Sequence, residues 1–93
     1  MTTKQVKLLI SGRVQGVWYR RWTVDVAQKL GLAGWVRNLP TGQVEAVVKG
    51  EVDKIDVLVK LCHEGPEHAN VISVEETVDT SVLGNEMEFV QIR

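Results

Sequence analysis

Apolar and polar residues alternate over residues 6–11, so that Val6, Leu8 and Ile10 share one side of an extended chain before Gly12 breaks the run, which predicts a first strand. From about Arg20 to Leu30 the period lengthens. Tyr19, Trp22, Val26 and Leu30 fall within a narrow arc, opposed by Arg21, Asp25, Gln28 and Lys29, which is the pattern of an amphipathic helix stopped by Gly31. Trp22 lies in the middle of that stripe and is expected in the core rather than as a ligand platform, and Tyr19 likewise. Residues 33–38 are rich in strand formers, 39–42 (Leu-Pro-Thr-Gly) carry turn chemistry, and 43–49 alternate again, predicting a β-hairpin. In its second strand Val44, Ala46 and Val48 face one way, while Glu45 and Lys49 flank Val47 on a face expected to be mostly wet. Val52, Ile55, Leu58, Val59 and Cys62 then recur at helical spacing, with Asp56 and Lys60 placed for an i, i+4 ion pair and Gly65-Pro66 ending the helix. Residues 70–78 read as a further strand and 87–92 as a short C-terminal one, separated by a polar stretch at 79–86.

The order is therefore β-α-β-β-α-β plus a final strand. Right-handed crossovers place both helices on one face of a mostly antiparallel sheet, an α+β sandwich of the ferredoxin-like, split βαβ type. Ninety-three residues with 44% apolar content suit one domain, residues 1–93, and neither an internal repeat nor a linker divides it. Because this fold hosts many unrelated functions, it decides nothing about activity.

Composition narrows the chemistry. The single cysteine, Cys62, has no partner for an intramolecular disulfide and falls on the apolar stripe of the second helix, where a small core residue is expected rather than a nucleophile. No Cys/His spacing suits a metal, and His63 and His68 flank a helix-ending loop with no nucleophile nearby to activate, which suits a capping or solvated role. The N-terminus has no apolar leader, and no run of about 18 apolar residues occurs, so a soluble cytoplasmic protein is expected. The net charge of −1 argues against a protein that neutralises many nucleic-acid phosphates. Its distribution is uneven: residues 1–37 hold seven Lys/Arg against Asp25 alone, whereas residues 38–93 hold four bases and eleven acids. That asymmetry favours a small anionic ligand on the N-terminal part of the chain.

The positive half surrounds residues 12–20, Gly-Arg-Val-Gln-Gly-Val-Trp-Tyr-Arg, a glycine-bearing loop that leads from a strand directly into a helix. Converging backbone N–H groups at a helix N-terminus make an anion site, and an arginine in the first turn is unfavourable unless an anion lies between it and the helix dipole. The stretch fits a second, plainer role equally well, with Gly12 and Gly16 as turn glycines and Arg20 and Arg21 solvated on the helix. It lacks the Gly-Lys-Ser/Thr ending of a Walker A loop and the third glycine of a dinucleotide fingerprint.

Taken together, Gly12-x-Val14-Gln15-Gly16-Val17-x-Tyr19-Arg20, Gly31-x-x-Gly34-Trp35-Val36-x-Asn38, Gly42-x-Val44-Glu45 with Gly50, and Gly65-Pro66-x-x-Ala69 resemble the acylphosphatases over nearly the whole chain. The resemblance implies hydrolysis of acyl phosphates to a carboxylate and inorganic phosphate without a cofactor or metal. It implies a phosphate cradle formed by Gly12, Arg13, Val14, Gln15, Gly16, Val17, Trp18 and Tyr19, closed by Arg20 as the catalytic phosphate-binding arginine. Asn38, otherwise an ordinary turn asparagine before Pro40, is implied as the residue that orients the attacking water. The expected partners are a small acyl phosphate substrate and inorganic phosphate as product and inhibitor, with no nucleic acid and no membrane, the protein acting as a monomer. Two positions depart from the family pattern: Tyr19 stands where phenylalanine is usual, so its hydroxyl needs a partner if buried, and Thr41-Gly42 replaces the common Asp-Gly.

Other functions carried by this fold fit less well. An RNA-recognition module would place stacking aromatics on the first and third strands, and residues 6–11 and 43–49 hold none. A metal carrier of this shape would need Cys-x-x-Cys in the first loop. A non-catalytic module binding phosphate or carboxylate metabolites would use the same cradle and is left open by residue types alone. The acylphosphatase-like domain of hydrogenase-maturation carbamoyltransferases belongs to a much longer chain, whereas this one is expected to stand alone.

Overall fold

A computed structural model describes residues 2–80 and 89–92. Its elements are β1 (Thr3–Arg13), α1 (Tyr19–Lys29), β2 (Ala33–Asn38), β3 (Val44–Glu51), α2 (Val52–Cys62), β4 (Asn70–Val78) and β5 (Phe89–Gln91). The five strands form one sheet in the order β4-β1-β3-β2-β5, with β5 parallel to β2 and every other pairing antiparallel. This is the ferredoxin-like arrangement with one extra edge strand. The expected C-terminal strand at 87–92 is realised as Phe89–Gln91, while Met87 and Glu88, like 81–86 of the polar stretch, lie outside the described residues.

Alternation along the central strands makes the core. Val6, Leu8 and Ile10 of β1 stand in register with Val48, Ala46 and Val44 of β3, and all six are buried beneath the helices. Val36 and Phe89 extend that layer across β2 and β5, and Ile55, Leu58 and Cys62 of α2 close it from above.

Two expectations about faces need correction. In α1 the buried line is Tyr19, Thr23 and Ala27, not the stripe centred on Trp22. The two smaller side chains, Thr23 and Ala27, bring the helix close to the sheet, and Thr23 satisfies its buried hydroxyl by donating to the Tyr19 carbonyl at 2.8 Å. Trp22, Val26 and Leu30 pack half-buried along the flank, with the Trp22 ring tilted against Tyr19 at 5.4 Å. The open sheet face is also drier than its charges suggest. Val47 is fully buried there between Trp35 of β2 and Lys7 of β1, and the Arg37 guanidinium lies 5.1 Å over the Trp35 ring while pairing with Glu45 at 2.7 Å.

The pair expected between Asp56 and Lys60 is replaced by one to Lys4, which reaches Asp56 at 3.4 Å and Glu76 at 3.1 Å and so links β1 to α2 and β4. His63 and His68 are both exposed, as a capping or solvated role requires.

Candidate active site

At the end of β1 the chain must leave the sheet and enter α1 within five residues, 14–18. Val14 and Val17 anchor this loop by burying their side chains in the core. Gly16 turns the chain between them at φ 74°, a left-handed conformation that glycine adopts without steric penalty. Trp18 follows at φ 67° and ψ 21° as the N-cap of α1, where a bulky residue pays about 1–3 kcal/mol of backbone strain. Its carbonyl nevertheless accepts the first helical hydrogen bond, from the Trp22 N–H at 3.0 Å. The N-cap supplies no side-chain acceptor and the first turn contains no acid, so the positive end of the helix dipole meets no fixed negative charge of its own helix.

Facing this loop is the end of the β2–β3 hairpin. The Leu39 N–H donates to the Gln43 carbonyl at 2.8 Å, and the Gly42 N–H to the Leu39 carbonyl at 3.1 Å. Gln15 bolts the two loops together: its Nε2 donates to the Leu39 carbonyl at 2.8 Å and to the Gln43 carbonyl at 2.9 Å. Gln43 in turn donates from Nε2 to the Ser11 hydroxyl at 2.9 Å and accepts from the Thr41 hydroxyl at 2.8 Å, tying the hairpin back to β1.

Between loop and hairpin lies a cleft of about 450 Å³ lined by Val14, Gly16, Trp18, Tyr19, Arg20, Arg21, Asn38 and Gln91. Of the residues expected at the site, the fold thus gathers Val14, Gly16, Trp18, Tyr19 and Arg20 with Asn38. The others sit outside the wall. Gly12 pairs with Val71 across a register shift in the β1–β4 ladder, and a Cβ on it would collide with the Asn70 carbonyl oxygen, so its glycine is required by strand packing. Arg13 is exposed at the end of β1, Val17 is a core anchor, and the Gln15 side chain serves the hairpin. Arg21 and Gln91 join the wall without having been expected. Arg21 also pairs with Asp25 at 3.5 Å on the polar side of α1, and nothing local in the sequence marks Gln91, which arrives through parallel pairing of β5 with β2.

Two atoms in this cleft stand out chemically. Arg20 has no carboxylate partner among the described residues; its Nη1 makes one long contact, 3.5 Å to the Ile92 carbonyl, which leaves most of the guanidinium fork for an anion. Asn38 Oδ1 is buried and has no hydrogen-bond partner among the described residues. A buried acceptor left unpaired costs about 1–3 kcal/mol, and Asn38 is one of the residues that line the cleft.

Tyr19 lies at the floor of the cleft and resolves the question raised by its hydroxyl, which donates to the Cys62 carbonyl at 2.7 Å and joins the start of α1 to the end of α2. Burial, followed by the contact with Cys62, pushes the phenol well above its ordinary range. Burial likewise pushes the Cys62 thiol up to about 11, so it remains a protonated core group, remote in character from a nucleophile.

The acylphosphatase family profile matches residues 6–89 of this chain. An acylphosphatase of Methylococcus capsulatus is 44% identical over 97% of both chains, and one of Rubrobacter xylanophilus is 58% identical over 78% of this chain and 66% of its own. The crystal structure of acylphosphatase from Bacillus subtilis superposes with a TM-score of 0.90 at 29% identity, covering 99% of this chain and all of that one. With a family match from β1 to β5 and a relative aligned from end to end, the chain belongs to the acylphosphatase family.

Proposed function

We propose that this protein hydrolyses the carboxyl–phosphate bond of acyl phosphates, using loop 14–18 and Arg20 to hold the phosphoryl group and Asn38 to orient the attacking water. The single observation that carries the assignment of roles is the pairing, in one cleft, of an arginine without a carboxylate partner among the described residues and a buried amide oxygen that lacks any partner among them.

The chemistry follows from what those groups can do. Backbone N–H groups at the start of α1 and the planar Arg20 fork surround three phosphoryl oxygens and stabilise the charge that spreads over them as the P–O bond stretches. Asn38 Oδ1 accepts a hydrogen bond from a water and holds its lone pair towards phosphorus, opposite the leaving group. Water oxygen bonds to phosphorus as the bond from phosphorus to the acyl oxygen breaks with its electron pair, and a proton of that water passes to a phosphoryl oxygen, giving a carboxylate and dihydrogen phosphate. The leaving carboxylate has a conjugate acid of pKa about 4, so it departs without being protonated by the enzyme. No general acid is demanded, and none of the described residues that line the cleft is a carboxylate, histidine or lysine.

The same reading makes the protein a single domain over residues 1–93 that works in the cytoplasm as a monomer, independently of metal, cofactor, membrane or nucleic acid. Among the described residues no group of three or more His, Cys, Asp or Glu is placed to hold a metal ion, and no helix is long and apolar enough to cross a membrane.

The test is phosphate release from acetyl phosphate and benzoyl phosphate in the presence of EDTA, beside an alkyl phosphate monoester. Acyl phosphates should turn over at an undiminished rate in chelator, and the monoester should react orders of magnitude more slowly because nothing protonates its alkoxide. Comparable kcat/KM for the monoester would overturn the leaving-group argument. Activity lost in EDTA and restored by Mg²⁺ or Zn²⁺ would overturn metal independence, and phosphate binding without turnover would make the protein a metabolite-binding module.

A further inference from the structure

The phosphoryl machinery uses the backbone of loop 14–18 with Arg20 and Asn38 but gives the Trp18 side chain no task. Trp18 is the largest side chain in that wall, and it is 78% exposed, so the indole contributes little to the core. Its backbone is held in the left-handed region that tryptophan disfavours, at the junction where a glycine would be unstrained. The position is therefore costly for the fold and exposes an apolar ring at the rim of a basic site. The cleft, at about 450 Å³, falls within the size range of sites for whole small molecules and exceeds what a phosphoryl group alone requires.

We infer that Trp18 is the platform for the acyl part of the substrate and biases the enzyme towards acyl phosphates with a planar aromatic acyl group. This rests on the acylphosphatase reading above and adds the substrate class to it. When the phosphoryl group sits at the N-terminus of α1 against Arg20, the acyl group must project out of the cradle towards solvent, and among the described lining residues the indole is the large exposed apolar surface. An aroyl group lies flat against the ring by offset stacking, whereas an acetyl group offers only a methyl. The indole stands exposed at the start of α1, whereas Trp22 one turn later is folded against Tyr19.

The experiment is the ratio of kcat/KM for benzoyl phosphate to that for acetyl phosphate in the parent protein and in Trp18→Ala, Trp18→Gly and Trp18→Phe. Using a ratio cancels any change in the phosphate cradle that both substrates share, and Trp18→Gly relieves the backbone strain, so at least one truncated variant retains the fold. The ratio should fall about fivefold to tenfold in the Ala and Gly variants, mainly through a raised KM for benzoyl phosphate, and Trp18→Phe should recover most of it. An unchanged ratio in both truncated variants would overturn the platform while leaving the acylphosphatase reading intact. A parent protein that hydrolyses neither substrate would overturn that reading and the platform with it.

Discussion

Arg20 and Asn38 are assigned different tasks, and their variants should separate. Arg20 touches the phosphoryl group both in the bound substrate and at the transition state. Arg20→Ala should therefore lower kcat by about 10³-fold and also weaken inhibition by inorganic phosphate. Asn38 touches only the water, so Asn38→Ala should lower kcat by about 10²-fold with KM and phosphate affinity nearly unchanged. The burial of Asn38 Oδ1 adds a second signature. Deleting a buried acceptor that no described residue satisfies removes a cost, so Asn38→Ala should melt at or above the parent temperature while losing turnover. Steady-state kinetics, phosphate titration calorimetry and a thermal melt on each variant make the comparison. Wild-type kcat in Asn38→Ala, or parental phosphate affinity in Arg20→Ala, would return that residue to an ordinary turn asparagine or a surface arginine.

At the scale of elements, Gly12 of β1 and Gly16 of the following loop are required for different reasons. Gly16 has a positive φ and open space where a Cβ would go, so Gly16→Ala should keep the fold at a cost of about 1 kcal/mol and act mainly on phosphate binding and turnover. Gly12 sits in β1 with the Asn70 carbonyl oxygen in the way of any Cβ, so Gly12→Ala should instead loosen β4 from β1 and lower the melting temperature more than Gly16→Ala does. Circular-dichroism melts of both variants decide this, and equal destabilisation would refute the distinction. The same contrast shows where sequence reasoning reaches. Local pattern located β2, α2 and β4 closely, because each is bounded by turn chemistry. It shortened β1, whose ends at Thr3–Gln5 and Gly12–Arg13 are polar or lack a side chain and are extended by pairing with neighbouring strands. It also misplaced the buried line of α1, since Thr23 counts as polar until its hydroxyl is seen bonded to its own helix. The family resemblance named Arg20 and Asn38, but it could not show that Gln15 spends its amide on the hairpin or that Gln91 reaches the cleft, because both depend on contacts between distant strands.

For the whole molecule, the contrast between basic residues 1–37 and acidic residues 38–93 does not survive as two charged faces. Folding sets β1 between β4 and β3, so Lys4 meets Glu76 and Asp56, and Arg37 meets Glu45. These exposed pairs contribute little stability each, yet they leave Arg20 as the cation of the cleft without a carboxylate partner among the described residues. Stability against pH is governed elsewhere, by the seam between α1 and α2 at Tyr19 and Cys62 beneath that cleft. Both groups ionise by losing a proton, and burial raises both above their ordinary values, Cys62 from 9.0 to about 11. The unfolded chain therefore ionises first as pH rises. The protective contribution is complete below about pH 9 and is lost progressively as pH climbs from 9 towards 11, where Tyr19 adds a loss in the same direction above its ordinary value of 10.0. Two pKa units on Cys62 correspond to roughly 2–3 kcal/mol, a sizeable share of the 5–15 kcal/mol typical of a small domain. Urea midpoints should thus be level between pH 7 and 8.5 and fall steeply by pH 10.5, with a shallower fall in Cys62→Ala and in Tyr19→Phe, each of which removes one titrating group. Activity should decline over the same interval, since the seam holds the turn of α1 that carries Arg20. A midpoint that is the same at pH 7.5 and 10.5 would show that this seam does not control alkaline stability.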